Sequence, residues 1–113
     1  MPPPILPLLP GTLDLLVLGA IRPKAVHGYG IASAIEERSG GQLQVEDAAL
    51  YQALHRLERL GYVEAEWGAS ENNRRARFYT LTPAGRRRLA EQTAYWRSYA
   101  RALDAILRGA GER

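Results

Sequence analysis

Residues 47–61 read DAALYQALHRLERLG, and residues 62–81 continue YVEAEWGASENNRRARFYTL. In the first segment Leu50, Ala53, Leu54, Leu57 and Leu60 recur at helical spacing, which predicts a helix with one apolar stripe. Asp47 supplies its N-cap and Gly61 its stop. Past Gly61 the period changes from about 3.6 to 2. Val63, Ala65 and Trp67 then share one face of a strand, and Glu64 and Glu66 the other. Gly68 to Asn73 is turn chemistry, and Arg77 to Leu81 returns as a strand rich in aromatic and β-branched residues.

Working outward, two helices precede this unit. Thr12 or Gly11 caps the first, which runs to about Arg22 with Leu13, Leu16, Val17, Ala20 and Ile21 at helical spacing. Leu15 and Leu18 make it apolar nearly all round, and Pro23 ends it. The second runs from Gly28 to Arg38 with Ile31, Ala34 and Ile35 inward, and Gly40-Gly41 stops it. After the hairpin, Thr82 as N-cap and Pro83 at the first helical position open a last helix that extends to about Arg108, before Gly109 and Gly111. The first ten residues, MPPPILPLLP, hold five of the seven prolines and read as an extended arm. The expected fold is mainly α with a small β-hairpin: a winged helix-turn-helix plus a long C-terminal helix. Its expected division is an arm at 1–10, a winged-helix DNA-binding domain at 11–82 and a dimerisation helix at 83–113.

Composition narrows the chemistry. With 113 residues and no cysteine, disulfide scaffolds, zinc knuckles and thiol catalysis are excluded. His27 and His55 lack metal-site spacing, so neither a metal nor a cofactor is expected. No apolar run approaches the roughly 18–20 residues that span a bilayer. No targeting signal is read, so the expected location is the cytoplasm. Enzyme activity is not expected: there is no Gly-rich phosphate loop, Ser/His/Asp set or carboxylate pair.

The net charge is only +3, yet its distribution is uneven. Residues 74–88 hold Arg74, Arg75, Arg77, Arg86, Arg87 and Arg88 and no acid, whereas residues 27–73 are net acidic. A local excess of that kind invites a polyanion. The third helix supplies a groove-reading face: Ala48, Gln52, His55 and Arg59 point away from the leucine stripe, with Tyr51 and Arg56 on its flanks. Gln52 can pair with adenine, and arginine with guanine or phosphate. Arg74, Arg75 and Arg77 then belong to the wing. Arg86 to Arg88 occupy the first turns of a helix, where the macrodipole disfavours cations unless a phosphate lies near. The competing expectation is a winged helix used only for protein–protein contact through Glu36, Glu37, Glu46 and Asp47. A surface of that type has no need of the wing arginines.

The last helix carries Leu89, Thr93, Trp96, Ala100, Leu103 and Leu107 in a heptad-like seam, beside a second row of Tyr95, Tyr99, Ala102 and Ile106. So small a domain cannot bury both rows, which predicts a homodimer and a palindromic DNA site. Trp96 lies between the small residues Thr93 and Ala100, which leaves room beside it. Leu15, Leu18 and Gly19 of the first helix would complete an apolar site there for a planar aromatic small molecule. Trp67 is expected to pack within the wing.

Several motifs together resemble the PadR family of transcriptional regulators: His27-Gly-Tyr-Gly-Ile31, Ala49-Leu-Tyr51, Leu54-His-Arg-Leu57, Gly61 to Gly68, Arg74-Arg75, Phe78-Tyr79 and Leu81 to Arg86. The resemblance spans roughly residues 12–90, and the single last helix is similar to that of the compact subgroup. It implies a dimeric winged-helix repressor, acting on its own operon and released by a small molecule. By position it implies DNA contacts from Tyr29, Tyr51, Arg74 and Arg75, and a tryptophan at the effector site, matched by Trp96. Two departures stand out. Ala49 replaces a small hydroxyl residue at the DNA-facing position, so the operator cannot be borrowed from relatives. Asn73 replaces a common glycine, and asparagine tolerates the left-handed geometry that turn needs.

Overall fold

The computed structural model describes residues 4–109; Met1 to Pro3 of the arm, and Gly111 with its neighbours at 110–113, lie outside them. The elements follow in the order α1 (Leu13–Ile21), β1 (Val26–His27), α2 (Gly28–Arg38), α3 (Asp47–Arg59), β2 (Val63–Ala69), β3 (Arg75–Leu81) and α4 (Pro83–Arg108). The core lies where α1, α2 and α3 meet the sheet. Val17, Leu18 and Ile21 of α1, Ile31 and Ile35 of α2, and Leu50, Ala53, Leu54 and Leu57 of α3 close on Val63, Tyr79 and Leu89.

Helix starts follow from local chemistry, not always as expected. Thr12 already has helical dihedrals (φ −95°, ψ −14°), so its side chain does not cap α1; its hydroxyl donates to the Leu9 carbonyl at 2.7 Å. Capping needs extended geometry. His27 has it (φ −81°, ψ 167°), and its Nδ1 accepts from the Gly30 amide at 3.0 Å, capping α2. At α3 the N-cap is Glu46 and makes no side-chain bond, while Asp47 is the first helical residue, one place later than expected. Leu60, expected in the core stripe, is 56% exposed. The helix ends at Arg59 and the chain turns at Gly61 (φ +80°), which takes Leu60 off the stripe.

The hairpin supplies two strands of a three-stranded antiparallel sheet in the order β1-β3-β2. β1, two residues long, pairs Val26 with Tyr79 and His27 with Phe78; so short a strand has no periodicity to read. β2 and β3 pair from Val63–Leu81 to Ala69–Arg75, longer at the tip than the sequence reading had it. The turn closes through Ser70 N–H to Arg74 O and Asn73 N–H to Ser70 O, both 2.8 Å, with Asn73 at φ +59°.

α4 is anchored at one end only. The Thr82 hydroxyl accepts from the Gly85 amide at 3.0 Å and donates to the Gly61 carbonyl at 2.6 Å. Gly85 and Leu89 are buried against the body, whereas residues 94–109 are exposed throughout. The helix has 26 residues, about 39 Å at 1.5 Å per residue.

Gly85 tests this anchor. A Cβ there would lie 2.0 Å from the Tyr62 carbonyl oxygen, which is backbone and cannot rotate away. Alanine is the better helix former by about 1 kcal/mol, yet Gly85→Ala is expected to destabilise by about 1–3 kcal/mol through overpacking. Urea denaturation checks both size and sign.

Candidate nucleic-acid interface

The outward residues of α3 are where the stripe predicts. Ala48, Gln52, His55 and Arg59 are exposed, and Ala49 is half-buried. Tyr51 is about half exposed, and its hydroxyl edge lies over the α2 start, where a Cβ on Gly28 would meet it at 2.9 Å. Tyr29, in the first turn of α2, is 80% exposed. Between this end of α2 and the wing runs an open groove of about 1240 Å³, lined among others by Lys24, Tyr29, Tyr51, Arg74 and Arg75. The lining mixes these groups with the carboxylates of Glu37 and Glu71; its cations and phenol hydroxyls are of the kind that bond a phosphate backbone.

The arginines do not act alike. Arg74 and Arg75 are exposed, and the Arg75 guanidinium lies 4.4 Å from the Trp67 ring centre. Trp67 is thus a platform for a wing cation on an open face, rather than an internal packing residue. Arg77, expected in the DNA contact, is half-buried and gives an Nη2 bond to Glu58 of α3 at 3.0 Å. β3 starts at Arg75, so Arg77 lies past the tip, opposite Trp67 in the sheet register, and reaches back to the body. Arg56 is likewise engaged: its Nε and Nη2 donate to the Asp14 carboxylate of α1 at 3.3 and 2.5 Å. That hydrogen bond, then the carboxylate's charge, raises the guanidinium pKa above its usual value. Both side chains are over a third exposed, so the pair is worth at most about 1 kcal/mol of stability. Arg86, Arg87 and Arg88 are exposed on α4, and none lines the groove.

His27 joins the two walls. Its Nδ1 accepts the Gly30 amide, so the neutral ring carries its proton on Nε2, which donates to Glu71 at the wing tip at 3.2 Å. That bond, above all, holds the Glu71 carboxyl below the usual carboxylate range. The ring also meets Phe78 edge-on at 5.3 Å. Sequence reasoning missed Lys24, Asp14 and the His27–Glu71 link. Only the cap had a local signal, a polar residue directly before Gly28.

A second cavity, about 460 Å³, lies between α1, α2 and α4. Leu15, Gly19, Thr93 and Trp96 line it as expected. Leu18 does not: it is fully buried in the core. Ala100 does not either, being a turn further along α4. The walls are not purely apolar, because Arg22, Arg38 and Arg97 also border the space. Trp96 stacks on Tyr99 with centroids 6.0 Å apart and planes 8° apart. Of the expected dimer residues, Leu89 is buried within the chain itself, while Leu103 and Leu107 are exposed.

Among the described residues no helix is long and apolar enough to cross a membrane, and no group of three or more His, Cys, Asp or Glu could hold a metal ion.

Comparison with known proteins places the fold. The model of the transcriptional regulator PadR-like family matches residues 17–91. A PadR family transcription regulator from Clostridium difficile is similar at 26% identity, covering 86% of this chain and 99% of its own, with a TM-score of 0.75. Another, from Eggerthella lenta, has 28% identity over 86% of this chain and 82% of its own, with a TM-score of 0.73. Bacillus subtilis PadR in complex with operator DNA shares the fold, with a TM-score of 0.65 at 24% identity; the match covers 73% of this chain and 46% of that one.

The helix cap is testable. His27→Ala is expected to cost about 1 kcal/mol and to speed amide exchange at Gly30. His27→Asn, an able cap, restores Gly30 protection. Hydrogen exchange followed by NMR separates the two.

Proposed function

This chain belongs to the PadR-like family of transcriptional regulators, and on that footing we propose that it is a homodimeric repressor binding a palindromic operator in double-stranded DNA. The observation that carries this reading is the grouping on one side of the molecule: exposed Gln52, His55 and Arg59 on α3, and a groove edged by Tyr29, Tyr51, Arg74 and Arg75. In this reading α3 enters the major groove with Ala48 and Ala49 close to the bases, and the wing follows the backbone. Arg74 and Arg75 neutralise phosphates. Arg77 acts behind them by tying the wing to α3. Residues 11–82 form the DNA-binding unit, and the helix from 83 onward joins two copies.

Dimerisation is supported by the face that α4 leaves uncovered. Tyr95, Trp96, Tyr99, Leu103, Ile106 and Leu107 are all exposed on the part that leaves the body. Burying each such Leu or Ile is worth about 1.5–3 kcal/mol. Pairing two α4 helices would cover this face and hold two α3 helices about one DNA turn apart. The cavity beside Trp96 lies against the same helix. A planar aromatic effector there would press on α1 and α4 together and alter the spacing of the α3 helices. The repressor assignment follows the family resemblance.

The test begins with selection of duplexes from a random pool by the full-length protein. A recovered inverted repeat, bound with a steep salt dependence, is the expected result; recovery of no consensus would sink the sequence-specific reading and favour the protein-contact alternative. Arg74→Ala with Arg75→Ala is expected to weaken all duplexes nearly alike and to reduce the salt slope by about two. Leu103→Asp is expected to convert the dimer to monomer in sedimentation analysis. For the effector site, planar aromatic dyes should quench Trp96 fluorescence and release the duplex. A quench that survives Trp96→Phe would place the dye elsewhere.

A further inference from the structure

Arg56 faces two ways. It lies one turn beyond Gln52 on α3, about 6 Å along the axis and about 40° round from it, so it borders the reading face. Yet its Nε and one Nη2 hydrogen are given to Asp14 of α1. A guanidinium has five N–H donors, and among the described residues Arg56 has no other hydrogen-bond partner. The Nη1 end and the second Nη2 hydrogen are therefore free to form the parallel pair that guanine O6 and N7 accept. The side chain is 42% exposed, so it is only partly covered by the body.

We propose that Asp14 is a positioning residue for base reading: by gripping one edge of Arg56 it holds the other edge in a fixed orientation beside Gln52. The inference rests on the DNA-reading face proposed above and adds a specificity element contributed by α1. A free arginine has many rotamers and contacts phosphates and bases indiscriminately. One anchored by two hydrogen bonds has lost most of that freedom before DNA arrives, so less entropy is lost on forming the base contact. Placing a carboxylate beside a polyanion-binding surface is otherwise counterproductive, because it repels phosphate. Helix-dipole stabilisation in the first turn of α1 would explain an acid at Asp14, but it does not call for two hydrogen bonds across to α3.

The two effects have opposite signs, which makes the test sharp. Asp14→Asn removes a negative charge near DNA, so simple electrostatics predicts tighter binding to every duplex. Positioning instead predicts that affinity for the selected duplex falls while affinity for a scrambled duplex holds or rises. The ratio between them is then expected to drop about tenfold, within the range for losing one good bidentate base contact. Arg56→Lys, which keeps the charge but cannot form the fork, is the second variant. It should lose the same discrimination, and combining it with Asp14→Asn should add nothing. Binding is measured by fluorescence anisotropy at matched salt, with circular dichroism melts alongside. An unchanged ratio in both variants overturns the proposal while leaving DNA reading intact. Absence of discrimination in the unaltered protein would instead remove the reading face itself, and this inference with it.

Discussion

Helix α3, the β2–β3 hairpin and α4 converge within one turn of backbone around Gly61, Tyr62 and Gly85. There the Thr82 hydroxyl donates to the Gly61 carbonyl while accepting the Gly85 amide, and the Thr82 amide donates to the Tyr62 carbonyl at 3.1 Å. The close approach is possible only because residue 85 has no side chain. From this junction α3 runs one way into the proposed groove-reading face, β2 leads out to the wing, and α4 departs toward its uncovered apolar row. The angle between the reading face and the row proposed to join two copies is therefore set at this junction together with the packing of α4 on α1.

Charge is arranged about α3 to hold it and to leave one side open. Asp14 of α1 takes Arg56 on one flank, and Arg77 of β3 takes Glu58 on the other. His27 performs the same service between the α2 start and the wing tip through Glu71. Each link is weak as a contribution to stability, since its partners are in part or largely exposed. Their geometric effect is to turn Arg56 toward α1 and Arg77 toward α3. Arg74, Arg75, Arg59 and Gln52 are left outward, without carboxylate partners among the described residues. The acidic body, which made the net charge look unremarkable, supplies the carboxylates Glu58 and Glu71, while Asp14 comes from α1.

Helices α1 to α4, the hairpin and the outward set on α3 were legible in the chain because each is written in local periodicity. A leucine stripe determines its own opposite face, so the exposure of Ala48, Gln52, His55 and Arg59 follows from the stripe alone. Thr82-Pro83 and Gly109 marked the ends of α4 for the same reason: caps act within a few residues of themselves. β1 was not legible, because two residues have no period, and its pairing partner Tyr79 lies far along the chain.

The fate of individual charges was not legible either. A helical wheel gives Arg56 and Arg77 as surface cations and cannot tell a free one from one held by a distant acid. Asp14 and Arg56 are 42 residues apart, and His27 and Glu71 are 44 apart. The cavity beside Trp96 divides the same way. Leu15 and Leu18 are equally apolar in sequence, and only the packing of α1 sends Leu18 into the core and leaves Leu15 on the wall. Short-range spacing along 113 residues thus settled the elements and their polar faces, since those depend on backbone period alone. Which arginines remain free, and which side of α1 meets the cavity, depended on contacts between segments that no local pattern encodes.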